Sequence, residues 1–262
     1  MQTSLINHSL DNQILTITLN RPEKYNSFTE PMALELQEAF KEAESDDVRC
    51  VILKANGKAF CAGQDLPEVV ERAKDENYTL ADTVQTTYNP IIRAIRNLEK
   101  PVVCAVQGTA AGAGANLAFA CDIVIASHEA TFVQAFSKIG LIPDSGGTFF
   151  LPRLVGLAQT NAMYLLDEKI TADRAVEMGL IYKAVTHVNL ESETVEIAQK
   201  LAKLPTNGFG LYKKALNHSF ENSLDEQLNL EAELQSEAGK TEDYQEGVAA
   251  FLEKRKPEYK GE

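Results

Sequence analysis

Short apolar runs alternate with amphipathic stretches through the first two thirds of the chain. Residues Ile14–Leu19 alternate in hydrophobicity and are rich in β-branched side chains, which predicts a strand. The same criteria predict further strands at residues 50–53, 102–106, 123–126 and 181–185, and helices at 31–43, 91–98, 195–204, 208–220, 223–238 and 245–255. Because only helices are predicted after about residue 186, the pattern indicates an α/β body followed by an α-helical layer.

One long stretch departs from this alternation. Residues 72–90 are polar, with only a few apolar positions at helical spacing, which predicts a mobile helix or loop.

Composition narrows the class of protein. The 262 residues are 44% hydrophobic and 24% charged, which is ordinary for a globular protein of one large domain or two smaller ones. The net charge of −13 argues against nucleic acid and anionic membranes as partners. The four cysteines lie in or beside apolar runs without metal-like spacing, so we expect buried free thiols and no metal. Reduced thiols, no secretory leader and no apolar run near 18 residues predict a cytoplasmic protein.

A single carboxylate stands in the turn-like segment 140–153. Pro143 fixes its own φ and disfavours helix at Ile142, and two glycines follow at 146 and 147. Apolar neighbours that exclude water would raise the pKa of Asp144 toward the range useful for proton transfer. A helix cap or Asx-turn is an equally good reading of Asp144, and this segment alone does not decide between them.

Two loops rich in small residues each follow a predicted strand. Residues 107–118 open a helix, so their backbone N–H groups can face a ligand oxygen; close packing of helix on strand is the alternative. A dinucleotide-binding pattern fails there because Leu117 stands where the last glycine belongs. In residues 60–66, Ala62-Gly63 leave the N–H of Gln64 free to point into a site. Two such donors form an oxyanion hole, each worth about 2.7–4 kcal/mol, and with a lone acid they suit enolate chemistry.

Five segments, in order, are similar to the successive motifs of the enoyl-CoA hydratase/isomerase (crotonase) family. They are residues 19–26 (LNRPEKYN), 60–66 (FCAGQDL), 108–122, 140–153 (GLIPDSGGTFFLPR) and 246–255. The resemblance spans essentially the whole chain, and the phrase GLIPDSGGT most resembles the ring-epoxide isomerases of phenylacetate degradation. It implies an α/β fold, the crotonase-type spiral of ββα units with a C-terminal α-helical trimerisation layer. We therefore expect a catalytic core over 1–200, an oligomerisation region over 201–262, and homotrimers or hexamers built as dimers of trimers.

The resemblance also implies roles for individual residues. The backbone N–H groups of Gln64 and Ala113 match the oxyanion-hole positions, and the substrate is a coenzyme A thioester, with no tightly bound cofactor. The positions expected to contact coenzyme A are Arg21, Lys24, Ala62, Asp65, Leu66, Gly112 and Lys254. Among them the Ala62 carbonyl matches the adenine contact, and Lys254 matches a phosphate contact that is often made to a neighbouring subunit. Lone lysines and arginines are also commonly just solvated surface residues.

The departures from the family pattern are as informative as the matches. Hydratases of the family carry two glutamates, and those positions match Asn116 and Phe136, neither of which transfers protons. Asp144 alone, partly desolvated by Phe136 and Ile142, can take a proton from one carbon and return it to another. We therefore expect a double-bond isomerase, and with a ring epoxide the same groups would assist rearrangement to a seven-membered oxepin.

Other readings stay open. They are an enoyl-CoA hydratase, an aryl-CoA dehalogenase with Asp144 as nucleophile, and a non-catalytic acyl-CoA-binding subunit. Gln64 stands where dehalogenases tend to carry an aromatic residue, and the retained Asp144 argues against a non-catalytic protein. Asn116 either bonds substrate or closes helix packing. Residues 67–90 are expected to cover the acyl pocket, with Tyr88 lining it.

Overall fold

The structure, a computed structural model, describes residues 4–262. In chain order its elements are β1 (Ile6–Asp11), β2 (Ile14–Leu19), α1 (Glu30–Glu42), β3 (Cys50–Ala55), α2 (Leu66–Arg72), α3 (Leu80–Thr83), α4 (Asn89–Asn97), β4 (Val102–Val106), β5 (Thr109–Ala111), α5 (Ala113–Phe119), β6 (Ile123–Ser127), β7 (Thr131–Val133), α6 (Gly147–Leu165), β8 (Ile170–Thr171), α7 (Ala172–Glu177), β9 (Lys183–Val185), α8 (His187–Ala202), α9 (Thr206–His218), α10 (Leu224–Ala238) and α11 (Glu242–Glu253). A π-helix, Val84–Tyr88, joins α3 to α4.

Two sheets carry the fold. The larger has the strand order β1-β2-β3-β4-β6-β9, in which only the β1–β2 hairpin is antiparallel. The smaller has the order β5-β7-β8. This is the predicted crotonase-type α/β spiral, and its parallel strands bring their carboxyl ends to one edge, where ligand sites form in such sheets.

The larger sheet is buried on both faces. Side chains alternate across a strand, so Val51 and Leu53 of β3 join the main apolar core, which α1, α4 and α5 complete. Cys50 and Ile52 point the other way, into a second core covered by α8. Burial on both faces explains why these strands read as continuous apolar runs.

Most predicted elements are confirmed within a few residues, and two differ for identifiable reasons. Strand β9 is shorter than predicted because the N–H groups of Leu180 and Ile181 turn back to the Ala175 carbonyl and close the end of α7. Helix α8 begins eight residues earlier than predicted, since Leu190 and Thr194 bury the same face as Ala198. The 72–90 stretch contains α3 and the π-helix, and its mobility stays a prediction.

The C-terminal helices form a separate layer with many apolar side chains at the surface. Arg49, which precedes β3, ties this layer to the sheet by donating to the Leu204 carbonyl at 2.7 Å and the Tyr259 carbonyl at 3.0 Å. The predicted boundary at residue 200 stays a prediction, and α8 runs through it. In the part of the chain that the structure describes, no helix is both long and apolar enough to cross a membrane.

Candidate active site

Backbone hydrogen bonds join the two small-residue loops. The N–H groups of Phe60 and Cys61 donate to the Thr109 carbonyl at 3.0 and 3.3 Å, and Ala111 N–H donates to the Cys61 carbonyl at 2.9 Å. Cys61 and Ala110 thereby form an isolated parallel β-bridge. The loop after β3 and the turn before α5 are thus fixed side by side.

The two predicted donors lie on these joined loops. A Cβ built on Gly63 would lie 3.7 Å from the Ala113 nitrogen, so the residue before Gln64 lies against the start of α5. Gly63 and Gly112 have φ values of +86° and +53°, which L side chains rarely adopt. Within residues 4–262 neither the Gln64 nor the Ala113 backbone N–H donates a hydrogen bond. Both remain available to an oxygen atom of a ligand.

Asp144 sits on a tight turn beside these loops. Its carbonyl accepts from the Gly147 N–H at 2.8 Å, and the turn holds Ser145 and Gly146 at φ values of +51° and +77°. Burial raises the pKa of the Asp144 carboxyl above its ordinary value. The Ser145 hydroxyl donates to Asp144 Oδ1 at 2.9 Å. Because this hydrogen bond favours the ionised carboxylate, it offsets part of the increase in the pKa.

The two residues expected to form apolar walls around Asp144 differ in exposure. Phe136 is buried, and its ring lies 3.7 Å from the position of a Cβ built on Gly112. Ile142 is 75% exposed in this chain, and its part in desolvating Asp144 stays a prediction.

Asn116 holds the Asp144 turn. Its side chain is fully buried, and its Nδ2 donates to the Asp144 carbonyl at 2.9 Å. Its Oδ1 accepts from Gln134 Nε2 at 3.0 Å, and Gln134 is also fully buried. Gly147 packs so closely on the Asn116 amide that a Cβ there would overlap it. Asn116 therefore serves packing and turn geometry, and Gln134 is a site residue that sequence reasoning missed.

The Gln64 side chain is tied to Tyr88, which was expected to line the acyl pocket. The Tyr88 hydroxyl donates to Gln64 Oε1, while Gln64 Nε2 donates to the Phe28 carbonyl and to Glu68 Oε2, both at 3.2 Å. Burial, and then the neighbouring Asp144 charge, raise the pKa of Tyr88 well above its ordinary value. Tyr88 therefore stays protonated and acts as a donor.

The coenzyme A candidates fall into two groups. Arg21 and Asp65 bind each other at 2.6 Å with little exposure, and Arg21 also donates to Ser27. Although burial opposes it, the Arg21 hydrogen bond holds the pKa of Asp65 below its ordinary value, and Asp65 caps α2. These two residues hold the loop rather than face solvent.

The other candidates are exposed except for Gly112, which is buried. Lys24 and Leu66 are exposed, as is Ala62. Gly112 immediately precedes the free N–H of Ala113. Lys254 ends α11 in a left-handed conformation, in the C-terminal layer, and no hydrogen bond or ion pair within residues 4–262 joins its side chain to the residues above.

Comparison with known proteins agrees with this geometry. The family model described as "Enoyl-CoA hydratase/isomerase" matches residues 9–262. The chain belongs to the enoyl-CoA hydratase/isomerase family and is an enzyme of that family. It is 45% identical, over all of both chains, to the 1,2-epoxyphenylacetyl-CoA isomerase of Escherichia coli K12. It is 44% identical, again over all of both chains, to a probable enoyl-CoA hydratase of Rhodobacter capsulatus.

A solved structure supports the fold. The crystal structure of a putative enoyl-CoA hydratase/isomerase from Mycobacterium abscessus superposes with a TM-score of 0.92 at 37% identity, covering 97% of this chain and 98% of that one.

Proposed function

We propose that this protein is an acyl-CoA double-bond isomerase in which Asp144 is the only proton-transferring group. The observation that carries the proposal is the state of the two positions that hold glutamates in hydratases of the family. Asn116 is fully engaged by the Asp144 carbonyl and Gln134, and Phe136 is apolar. Asp144 is then the acid that remains near these two positions, and its partly buried carboxyl with a raised pKa suits proton transfer.

The mechanism uses three groups of this chain. The thioester oxygen accepts from the backbone N–H groups of Gln64 and Ala113, which stabilise the negative charge as the enolate forms. Asp144 removes a proton from the α-carbon and returns it to the γ-carbon, so the double bond moves by one position. The buried surroundings keep the proton on the carboxyl long enough for this return.

The substrate is proposed to be carried on coenzyme A, with no metal or resident cofactor in the reaction. The proposed contacts to the coenzyme A arm are Ala62, Asp65, Leu66 and Gly112, and Arg21, Lys24 and Lys254 are the candidates for its phosphates. The close similarity to a protein named 1,2-epoxyphenylacetyl-CoA isomerase favours a ring-epoxide acyl group, rearranged to the oxepin by the same three groups.

We also propose a cytoplasmic homotrimer or a hexamer made of two trimers. Support comes from apolar side chains that the single chain leaves exposed on α6 and in the C-terminal layer. They are Leu157 (71%), Leu165 (67%), Phe251 (82%) and Leu252 (73%). Ile142 belongs to the same exposed set, so subunit contact would also complete the apolar surroundings of Asp144.

The test is mass-resolved turnover of 3-hexenoyl-CoA and 2-hexenoyl-CoA by the wild type, Asp144→Asn and the control Asp173→Asn. Asp173 is an exposed aspartate on α7 that pairs with His128. We expect conversion of the 3-enoyl to the 2-enoyl ester by the wild type and the control only. Water addition to the 2-enoyl ester at a comparable rate would establish a hydratase instead. Turnover of a haloaryl thioester would establish an aryl-CoA dehalogenase. Binding without turnover of any thioester, ring epoxide included, would establish a non-catalytic protein.

A further inference from the structure

A buried hydrogen-bond chain joins the π-helix Val84–Tyr88 to the loop that carries Gln64. Tyr88 is only 4% exposed, and its hydroxyl donates to Gln64 Oε1. Because Gln64 Nε2 already donates to two oxygens, Oε1 is the end of the amide that must accept, which fixes the direction of the bond. The side chain of Gln64 is therefore held at both ends.

Side-chain hydrogen bonds also fix the π-helix. Gln37 Nε2 donates to the carbonyls of Thr86 and Thr87 at 2.9 and 3.1 Å, and Thr87 Oγ1 donates to the Thr83 carbonyl at 2.5 Å. The Tyr88 ring packs edge-on against Phe28, with ring centroids 5.5 Å apart. Single-turn π-helices are rare and recur at functional sites, because the extra residue redirects side chains. Here the side chain at the end of the turn is Tyr88.

The backbone around Gln64 is anchored to the same aromatic residue. Phe28 N–H donates to the Gly63 carbonyl at 2.7 Å, and Asp65 N–H donates to the Phe28 carbonyl at 2.9 Å. The peptide groups on both sides of Gln64 are thus bonded to Phe28, while the Gln64 N–H itself is left free. The motion that remains open to the Gln64 N–H is a tilt of residue 64. The hydrogen bond from the Tyr88 hydroxyl to the Gln64 side chain opposes that tilt.

We propose that Tyr88 is a positioning residue for the isomerase, whose hydroxyl acts through the Gln64 side chain to aim the Gln64 backbone N–H at the thioester oxygen. The inference rests on the proposed function, because it assigns that N–H to the oxyanion hole. It also links residues 84–88 to the chemistry: the hole is complete only when the π-helix is in place. High burial and the nearby Asp144 charge keep the Tyr88 hydroxyl protonated, as the proposal requires.

The first experiment is Tyr88→Phe, which removes the hydroxyl and keeps the ring against Phe28. The matched control is Tyr78→Phe, since Tyr78 lies in the same stretch and its hydroxyl pairs with Thr83 Oγ1 at 2.7 Å, not with Gln64. We expect kcat for 3-hexenoyl-CoA to fall about tenfold in Tyr88→Phe with KM within about twofold. Loss of a whole oxyanion-hole donor lowers kcat by about 10²–10³-fold, so the loss expected for a misaligned donor is smaller. An unchanged kcat in Tyr88→Phe, or an equal loss in Tyr78→Phe, would overturn the proposal.

A double-mutant cycle separates positioning from general stability. Gln64→Met removes the side-chain bonds and leaves the backbone N–H, so Tyr88→Phe should add less than about a twofold further loss in that background. The full tenfold loss in the Gln64→Met background would show that Tyr88 does not act through Gln64.

A second readout keeps this inference distinct from the proposed function. Acetoacetyl-CoA forms an absorbing enolate, whose charge on the thioester side is stabilised by an oxyanion hole without any turnover. If the wild type isomerises neither 3-hexenoyl-CoA nor a ring-epoxide thioester, the proposed reaction is wrong. A bound enolate that Tyr88→Phe reduces about tenfold relative to Tyr78→Phe would still support the positioning role. An enolate fraction equal in both variants would refute it.

Discussion

The two halves of the active site are built differently. On the proposed thioester side the donors are backbone N–H groups, and backbone bonds such as Ala111 N–H to the Cys61 carbonyl hold their loops together. On the base side the group is a side chain, Asp144, held by Asn116 and Ser145. Apart from the proposed bond between Tyr88 and Gln64, the backbone half should tolerate changes of side chain but not of packing distance. The side-chain half depends on a few polar groups.

The largest expected effect contrasts the two halves directly. Asp144→Asn should lower isomerase kcat by about 10²–10⁴-fold, the range of general acid–base catalysis. Ala113→Gly keeps the donor N–H and should stay within about threefold of the wild type. Initial rates with 3-hexenoyl-CoA, with circular dichroism as a control for folding, measure both. A comparable loss in the two variants would mean that the halves are not built differently.

The second largest effect tests packing distance on the thioester side. A Cβ on Gly114 would lie 2.5 Å from the Cys61 carbonyl oxygen, so Gly114→Ala must push the two loops apart. We expect kcat/KM to fall by up to about 10²-fold, as displacements near 1 Å do, and unfolding free energy to fall by about 1–3 kcal/mol.

Gly208→Ala is the matched control, because a Cβ at Gly208 of α9 meets nothing closer than 3.7 Å. It should leave kcat/KM unchanged and stabilise the protein by up to about 1 kcal/mol. Wild-type activity in Gly114→Ala would contradict close apposition of the loops.

A smaller effect is expected from replacing Asn116, whose side-chain amide holds the Asp144 turn. Asn116→Leu keeps the volume but leaves Gln134 Nε2 without its partner, at about 1–3 kcal/mol for the buried group, and leaves the Asp144 carbonyl with the Gly147 N–H alone. With the turn loosened, kcat should fall about tenfold. The control Asn217→Leu removes an amide that binds Arg96 away from the site, and it should lower stability without lowering kcat. Equal kcat in the two variants would show that Asn116 only packs.

The smallest effect concerns the pH profile. Ser145→Ala removes a hydrogen bond that favours ionised Asp144, so the pKa of Asp144 should rise further above its ordinary value. The rising limb of kcat/KM, which follows ionisation of the base, then moves to higher pH, with a loss of a few-fold at neutral pH. The control Ser9→Ala changes an exposed residue of β1. A limb that moves to lower pH in Ser145→Ala would show that another group governs the profile.

The same contrast explains what the sequence could predict. Strands such as Ile14–Leu19, and loops of small residues around Gly63 and Gly112, leave local patterns that can be read without a structure. The turn at Pro143 that carries Asp144 also leaves a local pattern in the sequence. The two loops of the proposed thioester side were therefore predictable in outline, as was the turn that carries the proposed base.

Contacts between distant residues were not predictable. Asn116 lies 28 residues from Asp144, and Gln134 is one more buried amide among many polar residues in the sequence. Tyr88 meets Gln64 because of a π-helix, for which periodicity gives no signal. Arg21 pairs with Asp65, 44 residues away, and no local pattern predicts that ion pair.

The central claim is that one carboxyl group carries the proton from the α-carbon to the γ-carbon. Single turnover of 3-hexenoyl-CoA that is deuterated at the α-carbon, in ordinary water, tests it most directly. The account predicts that part of the deuterium appears at the γ-carbon of the 2-enoyl product, because the buried Asp144 returns what it removed. Product whose γ-carbon carries only solvent protons from the first turnover would contradict a single-carboxylate shuttle.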